Sequence, residues 1–153
     1  MKNLIFVIGV AAIFSINACA QSENSVPEKV KTAFSQKFPN ATKIKWDKES
    51  KNAWEAEFKM NGKEYSANFS TEGIWQETEY EIEESEIPDN VKNALKNEFD
   101  GYKVKEPEIS ENKDGKTYEF ELKKGESEME VTINNNGKVI KKENEKIENK
   151  EGD

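Results

Sequence analysis

The chain has 153 residues, 34% of them hydrophobic, and carries 31 acidic against 23 basic side chains, for a formal net charge of −8. Every basic residue is a lysine, and the sequence contains no histidine. An acidic chain without arginine lacks the basic patch and the bidentate guanidinium groups that nucleic-acid binding uses, which argues against that function. The charge balance favours a basic protein or a cation as partner.

The N-terminus has the layout of a secretory signal peptide over residues 1–20. Lys2 precedes an apolar run at residues 4–16, too short to span a bilayer, and small residues follow it. Two processing routes stay open. Ala18-Cys19-Ala20 fits simple cleavage, whereas Ile16-Asn17-Ala18-Cys19 resembles a lipobox that would make Cys19 the lipidated first residue. We expect a periplasmic or secreted protein, lipid-anchored to the outer membrane if the second route applies.

The residues after this leader predict one helix followed by four antiparallel strands. Apolar side chains recur at helical spacing from Val26 to Phe38, and Pro39-Asn40 ends the helix. The apolar period then becomes two residues, which predicts strands with these inward rows: Ile44, Trp46; Trp54, Ala56, Phe58, Met60; Tyr65, Ala67, Phe69; Trp75.

Turn residues fix how the predicted strands are joined. Asn61-Gly62 predicts a two-residue hairpin with both residues in the left-handed region. Thr71-Glu72-Gly73 predicts a three-residue turn that places Phe69 opposite Trp75. The same geometry predicts a pairing of Ile133 with Val139 farther along the chain.

The pattern then occurs a second time. Ile87-Pro88 repeats Val26-Pro27 at an offset of 61 residues, and residues 118–122 repeat residues 54–58 at an offset of 64. A short doubled unit predicts two copies of one element that share a core. We therefore divide the chain into a first α-β4 unit at residues 21–83, a second at residues 84–142 and a charged, flexible tail at residues 143–153. The predicted fold class is α+β, with helices backing one face of an antiparallel sheet.

These residues resemble the PepSY-like family of β-lactamase-inhibitor-like secreted bacterial proteins (DUF2874 type). The resemblance covers residues 26–142, and its carriers are Val26-Pro27, the run Phe38-Pro39-Asn40-Ala41 leading to Trp46, and Tyr65-Ser66-Ala67-Asn68-Phe69 with Gly73, Trp75 and Glu79. The family implies tandem α-β4 units in one curved sheet and a non-enzymatic role in the cell envelope. The related inhibitor binds its enzyme on the concave face of the sheet.

The outward registers of the predicted strands differ from such an inhibitory surface. They hold mostly glutamate, whereas a tight protein interface carries aromatic anchors at its centre. These residues therefore do not support β-lactamase inhibition. We predict that an unidentified envelope protein binds through the sheet face and the hairpin loops, using these residues: Glu55, Glu57, Asn61, Asn68, Glu72, Tyr80, Glu119, Glu121, Asn135. Tyr80 and Ile82 point outward only if no bulge interrupts the fourth strand.

The sequence leaves two other functions open. Clustered glutamates could bind calcium, although the sequence has no Asp-x-Asp-x-Asp-Gly loop, so we assign no metal ligands. A carboxylate hydrolase is the third alternative, but the chain has no nucleophile motif and no phosphate loop. We expect no cofactor and no catalytic residues. The sequence leaves the oligomeric state open.

Overall fold

The computed structural model describes residues 25–144. The predicted leader with Cys19 and residues 145–153 of the predicted tail lie outside this part of the chain. The helices and strands occur in this order: α1 Glu28–Lys37, β1 Thr42–Ser50, β2 Ala53–Met60, β3 Lys63–Ser70, β4 Trp75–Glu81, a 3₁₀ turn Glu84–Glu86, α2 Asp89–Glu98, β5 Lys103–Asn112, β6 Gly115–Lys124, β7 Ser127–Asn134, β8 Val139–Asn144. Strand β8 thus includes residues 143 and 144, which the sequence places in the tail.

All eight strands form one antiparallel sheet in which each strand pairs with its neighbours in the chain. We call α1 with β1–β4 the first half and α2 with β5–β8 the second half. The halves are joined through β4 and β5, where Tyr80 lies opposite Ile109. The predicted α+β class and the antiparallel sheet are confirmed.

The predicted turns are also confirmed. Met60 lies opposite Lys63 across Asn61-Gly62, both of which have positive φ. Phe69 pairs with Trp75, and Ile133 pairs with Val139. The turn residues therefore predicted the pairs that flank each turn.

Both helices cover the same face of the sheet, because the apolar rows of the strands continue from one half to the other. The first half buries Val30, Phe34, Phe38, Trp46, Trp54, Phe58 and Phe69 in one cluster. The second half buries Val91, Leu95, Phe99, Phe120, Leu122, Val131 and Ile133 in another. Burial of such side chains stabilises a fold by about 1.5–3 kcal/mol each. The opposite face of the sheet is left without a covering layer by the described residues.

Each helix rests against a glycine turn of its own half. A Cβ at Gly73 would lie 2.6 Å from the Lys29 carbonyl oxygen, and one at Gly137 would lie 2.7 Å from that of Asn90. Both glycines have positive φ, +78° and +77°. Only glycine combines this backbone conformation with so close an approach of the helix.

Strand β4 contains the bulge on which the placement of Tyr80 depends. Asn68 pairs with Glu77 and Phe69 pairs with Trp75, so Gln76 is an extra residue. The Trp75 indole N–H donates to Thr78 Oγ1 at 2.8 Å across it. The bulge reverses the alternation that follows, and it turns Tyr80 and Ile82 toward the helices.

Candidate functional site

The candidate site is the uncovered face of the sheet, which we call the open face. Because side chains alternate along a strand, the residues between the buried positions point to this face. Its central part lies on β2–β7 and contains these side chains: Glu55, Glu57, Ser66, Asn68, Glu77, Glu79, Glu108, Ser110, Glu119, Glu121, Glu130. A continuous polar surface thus crosses from one half of the molecule to the other.

Glu79 lies at the centre of the open face, on the strand that joins the two halves. It pairs with Ser66 on one side and with Ser110 on the other. The Ser66 hydroxyl donates to Glu79 Oε2 at 3.5 Å. Burial, and then the charges of neighbouring glutamates led by Glu77, raise the pKa of Glu79 to about 8. This carboxyl is therefore largely protonated at neutral pH.

Three more glutamates on the open face have raised pKa values. Burial, reinforced by Glu49 and Glu57, raises the pKa of Glu55 to about 7. Burial and the charge of Glu119 raise the pKa of Glu108 to about 7.

Glu119 lies opposite Glu108 across β5 and β6. Burial and the charge of Glu77 raise the pKa of Glu119 to about 6, although Lys141 acts in the other direction. Like charges on adjacent strands oppose full ionisation of this group of carboxyls.

The polar side chains of the open face satisfy only part of their hydrogen-bonding capacity among themselves. Ser110 is 1% exposed, and its hydroxyl donates to Glu77 Oε1. The Asn68 Oδ1 atom is buried and has no hydrogen-bond partner among the described residues. Asn68 Oδ1 can accept a hydrogen bond, and a nearby positive charge would favour ionisation of the glutamates around it. The open face therefore suits hydrogen-bond donors and cations better than anions.

A small hollow lies beside these groups, between β5, β6 and β7. Its volume is about 50 Å³, and Glu106, Glu108, Glu119 and Glu130 are among the residues that line it. In the described part of the chain, no group of three or more His, Cys, Asp or Glu side chains has the arrangement needed to hold a metal ion.

The structure brings five of the predicted site residues together on the open face: Glu55, Glu57, Asn68, Glu119, Glu121. Lys45 forms an ion pair with Glu57 at 3.7 Å, and Lys105 forms one with Glu121 at 3.4 Å. Glu57 and Glu121 therefore each have a lysine as ion-pair partner within the chain.

The remaining predicted site residues lie elsewhere. Asn61 is exposed in the β2–β3 hairpin. Glu72 pairs with Lys29 of α1, and the Asn135 carbonyl oxygen accepts from Asn90 Nδ2 at 2.6 Å, so both of these turn residues hold a turn against a helix.

Tyr80 was predicted on the outward side in the absence of a bulge, and the structure places it on the helix-covered side. Its ring lies 4.9 Å from that of Tyr65, between centroids. The bulge is the reason, because the extra residue Gln76 reverses which face the following side chains of β4 point to.

Glu77, Glu79, Glu108 and Ser110 were missed as site residues by the sequence reasoning. Their place at the centre of the open face depends on the β4 bulge and on the pairing of β4 with β5, and neither feature has a turn signal of its own. The one available signal was the alternation of glutamates at residues 77–81.

The described helices include none that is both long and apolar enough to cross a membrane.

Comparisons with known proteins agree with this architecture. The chain is similar in structure to a DUF2874 family protein from Bacteroides uniformis, with 20% identity over 77% of this chain and 88% of the other and a TM-score of 0.72. It is similar to a protein described as a "putative periplasmic" protein from Bacteroides eggerthii, with 22% identity over 78% and 88% and a TM-score of 0.71. A BLIP-like protein from Bacteroides fragilis shows 21% identity over 77% and 86% and a TM-score of 0.69. At these identities the likeness shows the fold.

No curated protein matches the sequence. A family model described as "Putative beta-lactamase-inhibitor-like, PepSY-like" matches residues 16–63 and 52–141, which together span most of the chain. The chain therefore belongs to the PepSY-like, beta-lactamase-inhibitor-like family.

Proposed function

We propose that this protein is a non-enzymatic binding module of the cell envelope, built from two copies of one α-β4 unit, which holds a basic partner protein against the open face and its hairpin loops. The observation that carries the proposal is the set of half-buried carboxyls at the junction of β4 and β5. Glu79, at its centre, has a pKa of about 8 because it is half-buried among other glutamates.

The chemistry of the open face indicates the kind of partner. Burying a carboxylate without a counter-charge is unfavourable, and a lysine or arginine of a partner would remove that penalty. The buried Asn68 Oδ1 would accept from the same donors. Binding would lower the pKa of Glu55, Glu79 and Glu108, so protons would leave the protein as the complex forms.

An inhibitor-like role fits this surface if the inhibited enzyme is basic. The family description and the BLIP-like relative both point toward inhibition. A central surface of glutamate, serine and asparagine lacks the aromatic anchors typical of a tight interface, so electrostatic complementarity would carry specificity and association rate. An envelope location is supported by the leader sequence and by the description of the Bacteroides eggerthii relative.

Affinity capture from an envelope fraction tests the proposal. The bait is the chain from residue 21, beside a variant with four open-face substitutions, Glu55→Lys, Glu57→Lys, Glu119→Lys and Glu121→Lys. A matched control changes charge equally at exposed glutamates off this face: Glu28→Lys, Glu98→Lys, Glu111→Lys, Glu126→Lys.

The expected result is a basic protein captured by the parent chain and by the control, and lost from the open-face variant. Capture of the same protein by all three baits would move binding to the loops or helices. If the parent captures nothing, the binding-module proposal fails, and thermal melts with and without calcium then test the calcium-binding alternative, because a ligand of the folded state raises Tm.

A further inference from the structure

The two halves of the molecule meet along one strand pair, β4 with β5, and their hydrophobic clusters are separate. The clusters meet at Tyr80, which packs on the cluster of the second half. Its ring lies 4.9 Å from that of Tyr65, which packs on the cluster of the first half, between centroids. Beside this contact the Ile82 amide donates to the Pro107 carbonyl oxygen at 2.9 Å. The pairing of β4 with β5 therefore carries much of the cohesion between the halves.

We call this strand pair the junction, in which residues 77–81 of β4 lie opposite residues 108–112 of β5. Both segments contain glutamates, and neither contains a lysine. Glu81 lies directly opposite Glu108. Like charges directly opposite each other on neighbouring strands destabilise the pairing. The junction therefore brings together like charges with no cation of its own.

Glu79 faces polar or acidic side chains on every side of the open face. The side chains around it are these: Ser66 and Asn68 of β3, Glu77 and Glu81 of β4, Glu108 and Ser110 of β5. Its carboxyl accepts from the Ser66 hydroxyl at 3.5 Å. Ionisation of Glu79 thus adds a negative charge between the acidic residues of both strands.

Glu108 has a similar environment on β5. It lies between Glu81 of β4 and Glu119 of β6, and Glu106 and Glu130 also act on it. The row of paired residues reaches a lysine only at β8, three strands from Glu108, where Lys141 is paired with Thr132.

Other strand pairs of the sheet are built differently. A lysine and a glutamate form an ion pair across each of four of them: Lys45–Glu57 between β1 and β2, Lys59–Glu64 between β2 and β3, Lys105–Glu121 between β5 and β6, Lys123–Glu128 between β6 and β7. Among the residues that the structure describes, no ion pair links β4 to β5. The pairing of the two halves is thus the part of the sheet where carboxylate charge would act without compensation.

Protonation removes this charge in an accessible range of pH. Burial, followed by the charge of Glu77, raises the pKa of Glu79 to about 8. Burial, followed by the charge of Glu119, raises the pKa of Glu108 to about 7. Separation of β4 from β5 would expose both carboxyls to water, so the paired junction binds more protons than the separated one. Its stability is therefore present at low pH and is lost as the pH rises through these values.

We propose that the junction is a proton-dependent coupling between the two halves. With neutral carboxyls, β4 and β5 stay paired and the halves move as one sheet. With ionised carboxyls, repulsion opens the junction locally, while each half keeps its own core and its remaining strand pairs. The inference goes beyond the proposed function, because it requires no partner protein.

Hydrogen exchange of the whole chain at about pH 6 and about pH 8.5 tests this inference. The rates are corrected for the intrinsic effect of pH on amide exchange, and protection is compared between the junction, β2–β3 and β6–β7. We expect protection at the junction, including the Ile82 amide, to fall by about tenfold or more at the higher pH. The other two strand pairs should change by less than about threefold.

Two matched variants identify the carboxyls responsible. Glu79→Gln combined with Glu108→Gln keeps both positions neutral, so the fall in protection should shrink to less than about threefold. Glu98→Gln combined with Glu126→Gln removes the same charge at exposed positions away from the junction, and it should show the same fall as the parent. Melting curves establish that each variant is folded, and Glu79→Gln alone serves if the first double variant is not.

An equal loss of protection in all three strand pairs would indicate global destabilisation and would overturn the proposal. A fall at the junction that survives the glutamine substitutions, or no fall in the parent, would overturn it as well. None of these results depends on the capture of an envelope protein, so the proposed function and this inference can fail separately.

Discussion

The two halves of the molecule cover one sheet face with different kinds of side chain. In the first half, the ring of Phe34 lies 5.3 Å from Phe38, 5.2 Å from Trp46 and 5.0 Å from Phe58, between centroids. In the second half, aliphatic residues such as Leu95 hold most of the corresponding positions. The same order of elements can thus be supported by an interlocked aromatic core or by one with more aliphatic residues.

Truncation to alanine at corresponding positions should lower the free energy of unfolding more in the first half than in the second. Phe34→Ala removes a ring that contacts four others, and we expect a loss of about 4 kcal/mol in the free energy of unfolding. Leu95→Ala removes a smaller, aliphatic side chain that is 7% exposed, so we expect about 2 kcal/mol. Urea denaturation of the two variants measures both. Equal losses would mean that the aromatic network adds nothing beyond burial.

The glycine turns test what the halves have in common. Gly73→Ala and Gly137→Ala should each cost about 2 kcal/mol or more, because a Cβ would press on a helix carbonyl oxygen and alanine disfavours positive φ. Gly62→Ala is the control, since it has positive φ with nothing within 4 Å of the added atom. It should cost about 1 kcal/mol in the same urea experiment. A loss at Gly62 as large as at the other two would show that φ alone matters.

The junction between the halves should be sensitive to pH through Glu79. Its folded pKa of about 8 lies above the ordinary value of 4.5, so the folded protein binds more protons than the unfolded chain between these values. This contribution to stability is present at low pH and is lost as the pH rises through about 8. Glu79→Gln should therefore leave Tm nearly unchanged at about pH 5 and raise it at about pH 9.

Glu64→Gln provides the opposite case. The Glu64 carboxylate is exposed and bonds to Lys59, which lowers its pKa. Its small stabilising effect is present above the ordinary pKa, so the substitution should lower Tm slightly at high pH. A rise in Tm at high pH in both variants would point to the reduction of net charge as the cause.

The smallest expected effect concerns the ion pair between the first half and the segment that leads to the second. Lys63 Nζ lies 2.8 Å from Glu86 Oε2 on the surface, and the pair lowers the pKa of Glu86. Exposed pairs contribute little to stability, so Glu86→Gln should shift Tm only marginally, less than any change above. A shift as large as that of the glycine variants would make this pair a main support of the junction.

Much of the fold could be predicted because its signals are local. Asn61-Gly62 predicted the register of its hairpin, and the turn at Gly73 predicted the pair Phe69–Trp75. The two-residue period placed Phe58 and Glu57 on opposite faces of the sheet. The candidate site was predicted only in part. Glu55 and Glu119 were correctly predicted on the open face. The prediction for Tyr80 was wrong, because the bulge at Gln76 adds one residue and no turn residue marks it.

The sequence by itself determined which segments are helix or strand, where they turn, and which side of each strand is apolar. These properties depend on backbone conformation and side-chain spacing over a few residues. Only the tertiary structure decided that β4 pairs with β5, that Glu79 is half-buried among the carboxyls of both halves, and that both helices cover the same face of the sheet. Such features arise from the packing of residues far apart in the chain. The burial of a side chain and the repulsion between charges depend on which segments the fold brings together, and no single segment contains that information.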